Sequence, residues 1–432
     1  MTAFPRRAGI KALAATPLIT AATQRPAMAA PLRALAMNSL TSTLGVCMVT
    51  STTVGPWGQR PQILQALSDL GATWYRTNLY TGNKRQISWL QELGANGHQL
   101  HALMGNPSQM TGTPEPLVAL VAASLTGVTQ SFEGPNEWDL RGGADWVPEL
   151  RTYQTRLYQA AKATAATRNI PVAAPAFGTP WKSTSYDAFG YAGNICDWGN
   201  SHIYTGGFVP GYRTDLMLDL ERRVSGPIPQ MVSETGWHNA PNTTTSHFYT
   251  PEAVAGVYAP RLLLEYVARG VPKMSLYELI NDRADPGGTD REANFGLLRY
   301  DLSRKPAFHS MANLNAVINQ QFRTGGRGQP APLFADIQVE AGRLDELATV
   351  LVARPDGRYL LFVWRPLAAI YDPRKRLYLN PGTMPMSVDW TAPKRVRRFV
   401  PNQSASALEV RTESRTELTL GAELQVLIVE PA

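Results

Sequence analysis

From residue 44 to about 280 the chain repeats one pattern, a short apolar run followed by a longer segment of helical periodicity. Repeated strand–helix units look like this, and they restrict the sheet to parallel pairing because each helix carries the chain back to the starting edge. The runs are LGVCMV near 44, ATWYRT at 72, QLHALMG at 99, VTQSFEG at 128, PVAAPA at 171, DWGNSHIY at 197, PQMVSE at 229 and KMSLYE at 273. Eight of them point to an α/β fold, a (β/α)8 TIM barrel.

The intervening segments agree. Leu150, Tyr153, Leu157 and Ala161 form a stripe at helical spacing. Another helix is predicted with Thr250 as N-cap, Pro251 at its first position, Glu252 in the first turn, a kink at Pro260 and a stop at Gly270. A last helix near 306–320 would close the barrel. Past residue 323 the character changes: TGGRGQPAP reads as a linker, and TVLVARPDGRYLLFVW and AELQVLIVE alternate as strands do. Pro355-Asp356-Gly357 between two apolar runs signals a hairpin, with Pro fixing one φ and Gly allowing a positive one. A small all-β sandwich is expected there. The expected division is a segment 1–29, a barrel over 30–322 and the β-domain over 323–432.

Residues 1–29 carry Arg6, Arg7 and Lys11, then ALAATPLITAA, then the small-x-small site Ala27-Met28-Ala29, which reads as an export signal peptide of twin-arginine or general type. A secreted or periplasmic location follows, with an unstructured tail as the alternative. Without that segment, whose four cations have no acid beside them, the formal net charge of +7 falls to +3. Of the rest, RKR at 374–376 and KRVRR at 394–398 make a basic C-terminal part, either a solvated face or a surface for an acidic polysaccharide or membrane. Cys47 and Cys196, the two cysteines, are expected to stay unpaired, since strands one and six of a barrel are not neighbours.

Two carboxylates stand out. Asn136 and Glu137, in EGPNEWD, follow the fourth run, and Glu234, in MVSETGW, ends the seventh. A strand-end Glu by itself is usually a salt-bridge or cap partner. Open ends of strands four and seven, however, face each other across one barrel mouth, where two carboxylates can flank a bond. No HExxH, CxxC, GxSxG or Gly-rich phosphate loop occurs; His98 and His101 fall on opposite faces of a strand, so neither a metal nor another cofactor is expected. The arginine-rich segments have few interleaved aromatics, which argues against nucleic acid. No obligate protein partner is inferred.

The order and spacing of Asn136-Glu137 and SETGW resemble those of the clan A glycoside hydrolases, the (β/α)8 retaining superfamily that includes cellulase-like and β-xylosidase-like families. The resemblance runs from about residue 44 to the end and includes residues 293–314, which resemble the barrel-closing segment. It implies that Glu137 is the acid/base and Glu234 the nucleophile. It also implies that Arg76 keeps the nucleophile ionised and that His202 and Tyr204 form the clan's His-x-Tyr, with the tyrosine hydroxyl on the nucleophile. Strand eight departs from the pattern, having Tyr277 and Glu278 where a tryptophan platform is usual. Tyr277 is then a candidate platform and Glu278 a hydroxyl ligand or a partner of Arg283. Trp138, Trp181, Trp198 and Trp237 are candidates for stacking on sugars or for packing. The chemistry requires Glu137 to hold a proton, so burial and the opposing carboxylate are expected to raise its pKa, while Asn136 holds a sugar hydroxyl. The implied activity is retaining hydrolysis of a poly- or oligosaccharide, endo-acting if the tryptophans line a cleft. The alternative is a non-hydrolytic carbohydrate-binding barrel or a transglycosylase.

Overall fold

The computed structural model describes residues 32–105, 113–245, 247–320 and 343–430, with backbone alone at 27–28 and 336–339. The expected export segment lies outside the described residues apart from the backbone of 27–28, and the TGGRGQPAP linker lies outside them entirely.

Seven parallel strands form the barrel wall: β1 (Leu44–Cys47), β2 (Trp74–Asn78), β3 (Gln99–Leu103), β4 (Thr129–Glu133), β6 (Gly199–His202), β7 (Gln230–Thr235) and β8 (Lys273–Leu276), in the order β4-β3-β2-β1-β8-β7-β6. The fifth position, β5, is reduced to Val172 and Ala173, which close the gap through single parallel bridges from Phe132 to Val172 and from Ala173 to Trp198. Pro171 and Pro175 bracket this run, and prolines cannot donate to a ladder, so PVAAPA makes only a remnant of the strand expected. Eight helices follow the strands in turn: α1 (Arg60–Leu70), α2 (Lys84–Ala95), α3 (Glu115–Ser124), α4 (Trp146–Ala163), α5 (Ser183–Phe189), α6 (Thr214–Ser225), α7 (Glu252–Ala268) and α8 (Pro306–Ile318).

The predicted stripe of α4 is the buried one, with Leu150, Tyr153, Leu157 and Ala161 all in the core. The N-terminus of α7 differs from expectation. Pro251 itself is the N-cap, and the Thr250 hydroxyl is buried without a partner and caps nothing. Its other end is as read, with Gly270 at φ +71 just beyond. Cys47 and Cys196 are buried and free.

The β-domain is one sheet folded on itself. Its strands are β9 (Asp336–Val339), β10 (Ala348–Ala353), β11 (Tyr359–Trp364), a small hairpin β12–β13 (Tyr371–Asp372 and Leu377–Tyr378), β14 (Met384–Phe399), β15 (Glu409–Leu420) and β16 (Gln425–Glu430). The path is β9-β14-β16-β11-β10, ending on Leu35–Ala36. The long β14 makes the fold possible, because its register shifts between Asp389 and Lys394, around Pro393, so that it pairs with β9 along one half and β16 along the other. Alternation does the rest. Leu360, Phe362 and Trp364 of β11 face the barrel core, and Tyr359, Leu361 and Val363 face the domain's own interior. The Pro355-Asp356-Gly357 turn joins β10 to β11 as predicted, with Gly357 at φ +85.

Arg261, fully buried on α7, ties the two domains together by donating to four carbonyls of the second, those of Arg365, Pro366, Ala368 and Ala422. The two basic runs lie apart. KRVRR is on β14, where Arg395 and Arg397 pair with Glu430 and Arg398 with Glu409 on the neighbouring strands, so most of its charge is met locally. RKR is the turn of the β12–β13 hairpin.

Candidate active site

The mouth of the barrel is built on strand ends, which hold side chains more rigidly than loops do. Arg76 on β2 is the hub. Its Nε and Nη2 donate to the two oxygens of Glu133, at 2.7 and 2.8 Å, while Nη1 donates to Glu234 at 2.6 Å and Nη2 also to Asn136 at 2.8 Å. The planar guanidinium suits this, since its donors diverge in fixed directions. Glu234, at the end of β7, accepts on its second oxygen from the Tyr204 hydroxyl at 2.7 Å. Both of its oxygens are therefore held.

Glu133 is the residue the sequence reading passed over. It is completely buried at the end of β4, and besides Arg76 it meets His101 Nε2 at 2.8 Å, whose Nδ1 lies 2.7 Å from the Ser131 hydroxyl. Burial alone would raise its pKa, but Arg76, His101 and His202 outweigh that and hold it well below the usual carboxylate range. A signal was available, because Ser131 and Glu133 are two apart on a strand and so share a face.

Glu137 sits just past β4 with φ +47, a left-handed conformation that costs an L-residue energy and is often found at functional sites. Its carboxylate is 2.7 Å from His202 Nδ1, and His202 Nε2 is 3.1 Å from the Ser233 hydroxyl. Gly178, on the loop after β5, passes so close that a Cβ there would meet the side chain of Leu140 at 2.2 Å and the Glu137 carboxyl carbon at 3.2 Å. The expected upward shift of Glu137 is not found. Burial pushes it up, but the hydrogen bond and charge of His202, with Arg76, bring it below the ordinary value. His202 moves the other way: burial would lower it, yet Glu234, Glu133 and Glu137 around it raise it to about 10. The pair thus holds one proton, resident on the imidazole one hydrogen bond from the carboxylate.

An oxygen of Glu137, an oxygen of Glu234 and a ring nitrogen of His202 lie within 4.8 Å of one another, the spacing of a metal-binding trio. A cation there would compete with Arg76, Tyr204 and a protonated His202 for the same lone pairs, so the donors present suit an organic ligand better.

Strand eight supplies Tyr277 and Glu278, joined by a cis peptide bond. Tyr277 is half-buried, edge-on to Phe295 at 5.3 Å and to Tyr204 at 6.5 Å between centroids. Tyr204 in turn meets His247 at 5.3 Å. These rings, which include the unforeseen Phe295 and His247, form an aromatic wall beside Glu234. Glu278 does not pair with Arg283, which is taken up by Asp282 and Asp290. It is buried with Oε1 unpartnered, and burial, then Asp282, Glu292 and Glu234, raise its pKa well above normal. A protonated carboxyl facing no partner suits a hydroxyl ligand.

The tryptophans fall differently from expectation. Trp138 is buried among Leu150, Phe177 and Tyr186 and donates to Glu149. Trp237 is buried too, donating to the Phe208 carbonyl. Trp198 precedes β6, at the closed end of the barrel, and packs on Trp74. Trp181 alone of the four is exposed, at 45%. Proximity to a strand end does not reveal which way a ring turns.

In fold, the chain is similar to solved glycoside hydrolases. A family 39 glycoside hydrolase from the gut symbiont Bacteroides cellulosilyticus WH2 superposes with a TM-score of 0.60 at 16% identity, covering 92% of this chain and 82% of that one. A glucosidase from Croceicoccus marinus gives 0.59 at 10% identity, covering 94% and 98%. A monomeric beta-xylosidase from Caulobacter crescentus CB15 gives 0.55 at 14% identity, covering 93% and 98%. No family model matches the sequence, and no curated protein matches it. The likeness extends over both domains, so barrel and β-domain occur together in the same arrangement in those proteins.

Proposed function

We propose that the protein is a retaining glycoside hydrolase that cleaves a poly- or oligosaccharide by double displacement, with Glu137 as acid/base and Glu234 as nucleophile. The observation that carries this is the gap of less than 4.8 Å between a Glu137 oxygen and a Glu234 oxygen. Retaining pairs stand about 5–5.5 Å apart, whereas inverting pairs need about 6.5–9.5 Å to admit a water. Similarity in fold to a family 39 glycoside hydrolase, a glucosidase and a beta-xylosidase supports the same class.

In the first step a Glu234 oxygen forms a bond to the anomeric carbon as the glycosidic C–O bond breaks, and the departing oxygen takes the proton of Glu137. Arg76 and Tyr204 fix the attacking carboxylate. In the second, Glu137 removes a proton from water, the water oxygen bonds to the anomeric carbon, and the ester to Glu234 is released. The proton for the first step comes back along the 2.7 Å contact from His202. A sugar oxygen reaching Glu137 offers a new acceptor, and Glu234 gives up a negative charge that helped keep the proton on the imidazole as it bonds to the anomeric carbon.

The exposed Trp181 on the rim favours endo action on a chain crossing the mouth. We place the activity outside the cytoplasm, on the strength of residues 1–29. The test is proton NMR of the first product released from neutral and acidic bacterial and plant glycans. A retained anomer supports the mechanism, and an inverted anomer sinks it; transfer products in place of free sugar would identify a transglycosylase.

The pH profile is a second test. His202 is raised to about 10, so the pair keeps its proton throughout the neutral range, and kcat/KM should fall on the alkaline side only toward pH 10. In His202→Gln, Glu137 must hold the proton alone, and the limb should move to clearly lower pH, because a carboxyl replaces the imidazole as the titrating group. An unmoved limb would mean that the pair shares no proton. Stability follows the same sign: the contribution of protonated His202 is complete below its unfolded value of about 6.5 and is lost as the pH rises through about 10.

A further inference from the structure

The β12–β13 hairpin of the second domain reaches over to the mouth of the first. Arg376 anchors it by donating to the carbonyls of Pro241, at 2.6 Å, and Thr243, at 3.0 Å, on the loop after β7. Beside it the loop after β6, which begins next to Tyr204, turns Phe208 against Tyr212 with centroids 4.6 Å apart. Arg374 from the hairpin lies 5.2 Å over Phe208, and Arg213 lies 5.2 Å over Tyr212. Two guanidiniums from different domains are thus held on one aromatic pair, with the exposed Lys375 next to them.

These cations have no acid of their own. Arg213, Arg374 and Lys375 are in no ion pair among the described residues. The nearest acid in the hairpin, Asp372, spends an oxygen on the backbone N–H groups of Arg374 and Lys375, and Asp215 is paired with Arg269. The contrast with KRVRR on β14, whose three arginines are paired with Glu430 and Glu409, is direct. Backbone strain marks the same place. Of the four non-glycine residues at positive φ among the described residues, Glu137, Arg213 and Arg376 lie on the loops and the hairpin at the mouth. Strain of this kind persists where surrounding structure enforces it, as binding sites do.

We propose that Arg213, Arg374 and Lys375 form an anion subsite at the rim of the cleft, which takes the carboxylate of a uronosyl residue a few sugars from the bond cleaved. The inference rests on the glycosidase reading and names its substrate class as an acidic glycan. Guanidiniums pre-oriented on rings can each bind a carboxylate through two donors at once. Phe248, which touches Phe208 with centroids 6.1 Å apart, follows His247 of the aromatic wall in the chain, so one loop carries a residue of each.

The test uses the full chain carrying Glu234→Gln, so that ligands are bound and not consumed, and measures calorimetric affinity for galacturonan, glucuronan and mannuronan oligosaccharides against glucan, xylan and mannan of matched length. At least one uronate chain should bind roughly 10-fold tighter than every neutral chain, lose that margin as salt is raised, and bind roughly 10–100-fold more weakly once Arg374→Gln and Lys375→Gln are added. Thermal unfolding of that variant checks that the fold is intact, and Lys375→Gln alone, at an exposed position, should give a smaller loss in the same direction. Equal binding of neutral and acidic chains, no binding of any uronate chain, or an affinity indifferent to the added substitutions would overturn the subsite. A uronate chain bound in this salt-sensitive way but never cleaved by the wild type would instead sink the glycosidase reading and leave the subsite standing.

Discussion

Glu234→Gln should reduce hydrolysis of any substrate the wild type cleaves by roughly 10⁴-fold or more, with the protein still folded and still binding glycan. Gln keeps the shape and the acceptor oxygen for one of the two donors, Arg76 Nη1 at 2.6 Å or the Tyr204 hydroxyl at 2.7 Å, but it cannot form the ester. The loss should appear almost wholly in kcat, because the substituted group acts only as the bond breaks. Glu137→Gln is the informative comparison. Its loss should shrink for substrates whose leaving group needs no proton, such as an activated aryl glycoside, whereas the Glu234 loss should not. If Glu234→Gln retained more than about a hundredth of wild-type activity, a different group would have to be the nucleophile.

Much of this could be read from residue order. The barrel was legible because strand and helix periods alternate eight times, and the catalytic pair was legible because its two glutamates end runs four and seven. What escaped was geometry at the scale of one side chain. PVAAPA has the composition of a buried strand, but two prolines leave it two bridges. Trp138 and Trp237 stand beside the two glutamates in sequence and face the core in space. Glu133 was hidden by its neighbours, because Glu137, four residues on, already supplies the carboxylate that strand four contributes to a catalytic pair. His101, dismissed with His98 as a metal ligand, turned out to brace Glu133. Nor could the order of residues tell that the two basic runs have opposite fates, one answered by acids on adjacent strands and the other carried on a hairpin to the barrel mouth. The pKa of Glu137 failed for a related reason: burial and an opposing carboxylate were foreseeable, but the His202 imidazole at 2.7 Å was not.

Arg76→Met should be the most destabilising change in the site, and it should also abolish most activity. The side chain is 5% exposed and pairs with two carboxylates, Glu133 and Glu234, that burial would otherwise penalise. Removing one partner of a buried ion cluster typically costs about 3–5 kcal/mol, since the other charges are left uncompensated. In a chain of 432 residues that corresponds to a fall in Tm of roughly 3–6 °C. Arg76→Lys should do only part of this damage, because a lysine keeps the charge but has no rigid fork with which to reach Glu133, Glu234 and Asn136 together. Stability and catalysis can then be separated. Adding Glu133→Gln to Arg76→Met removes the more deeply buried of the two charges left unmet, so Tm should recover part of the loss. Activity should not recover with it, because Glu234 would still lack the donor on Oε1 that fixes it for attack. Recovery of both would reduce Arg76 to a structural counterion, and recovery of neither would mean that its third contact, with Asn136, carries more of the site than the carboxylates do.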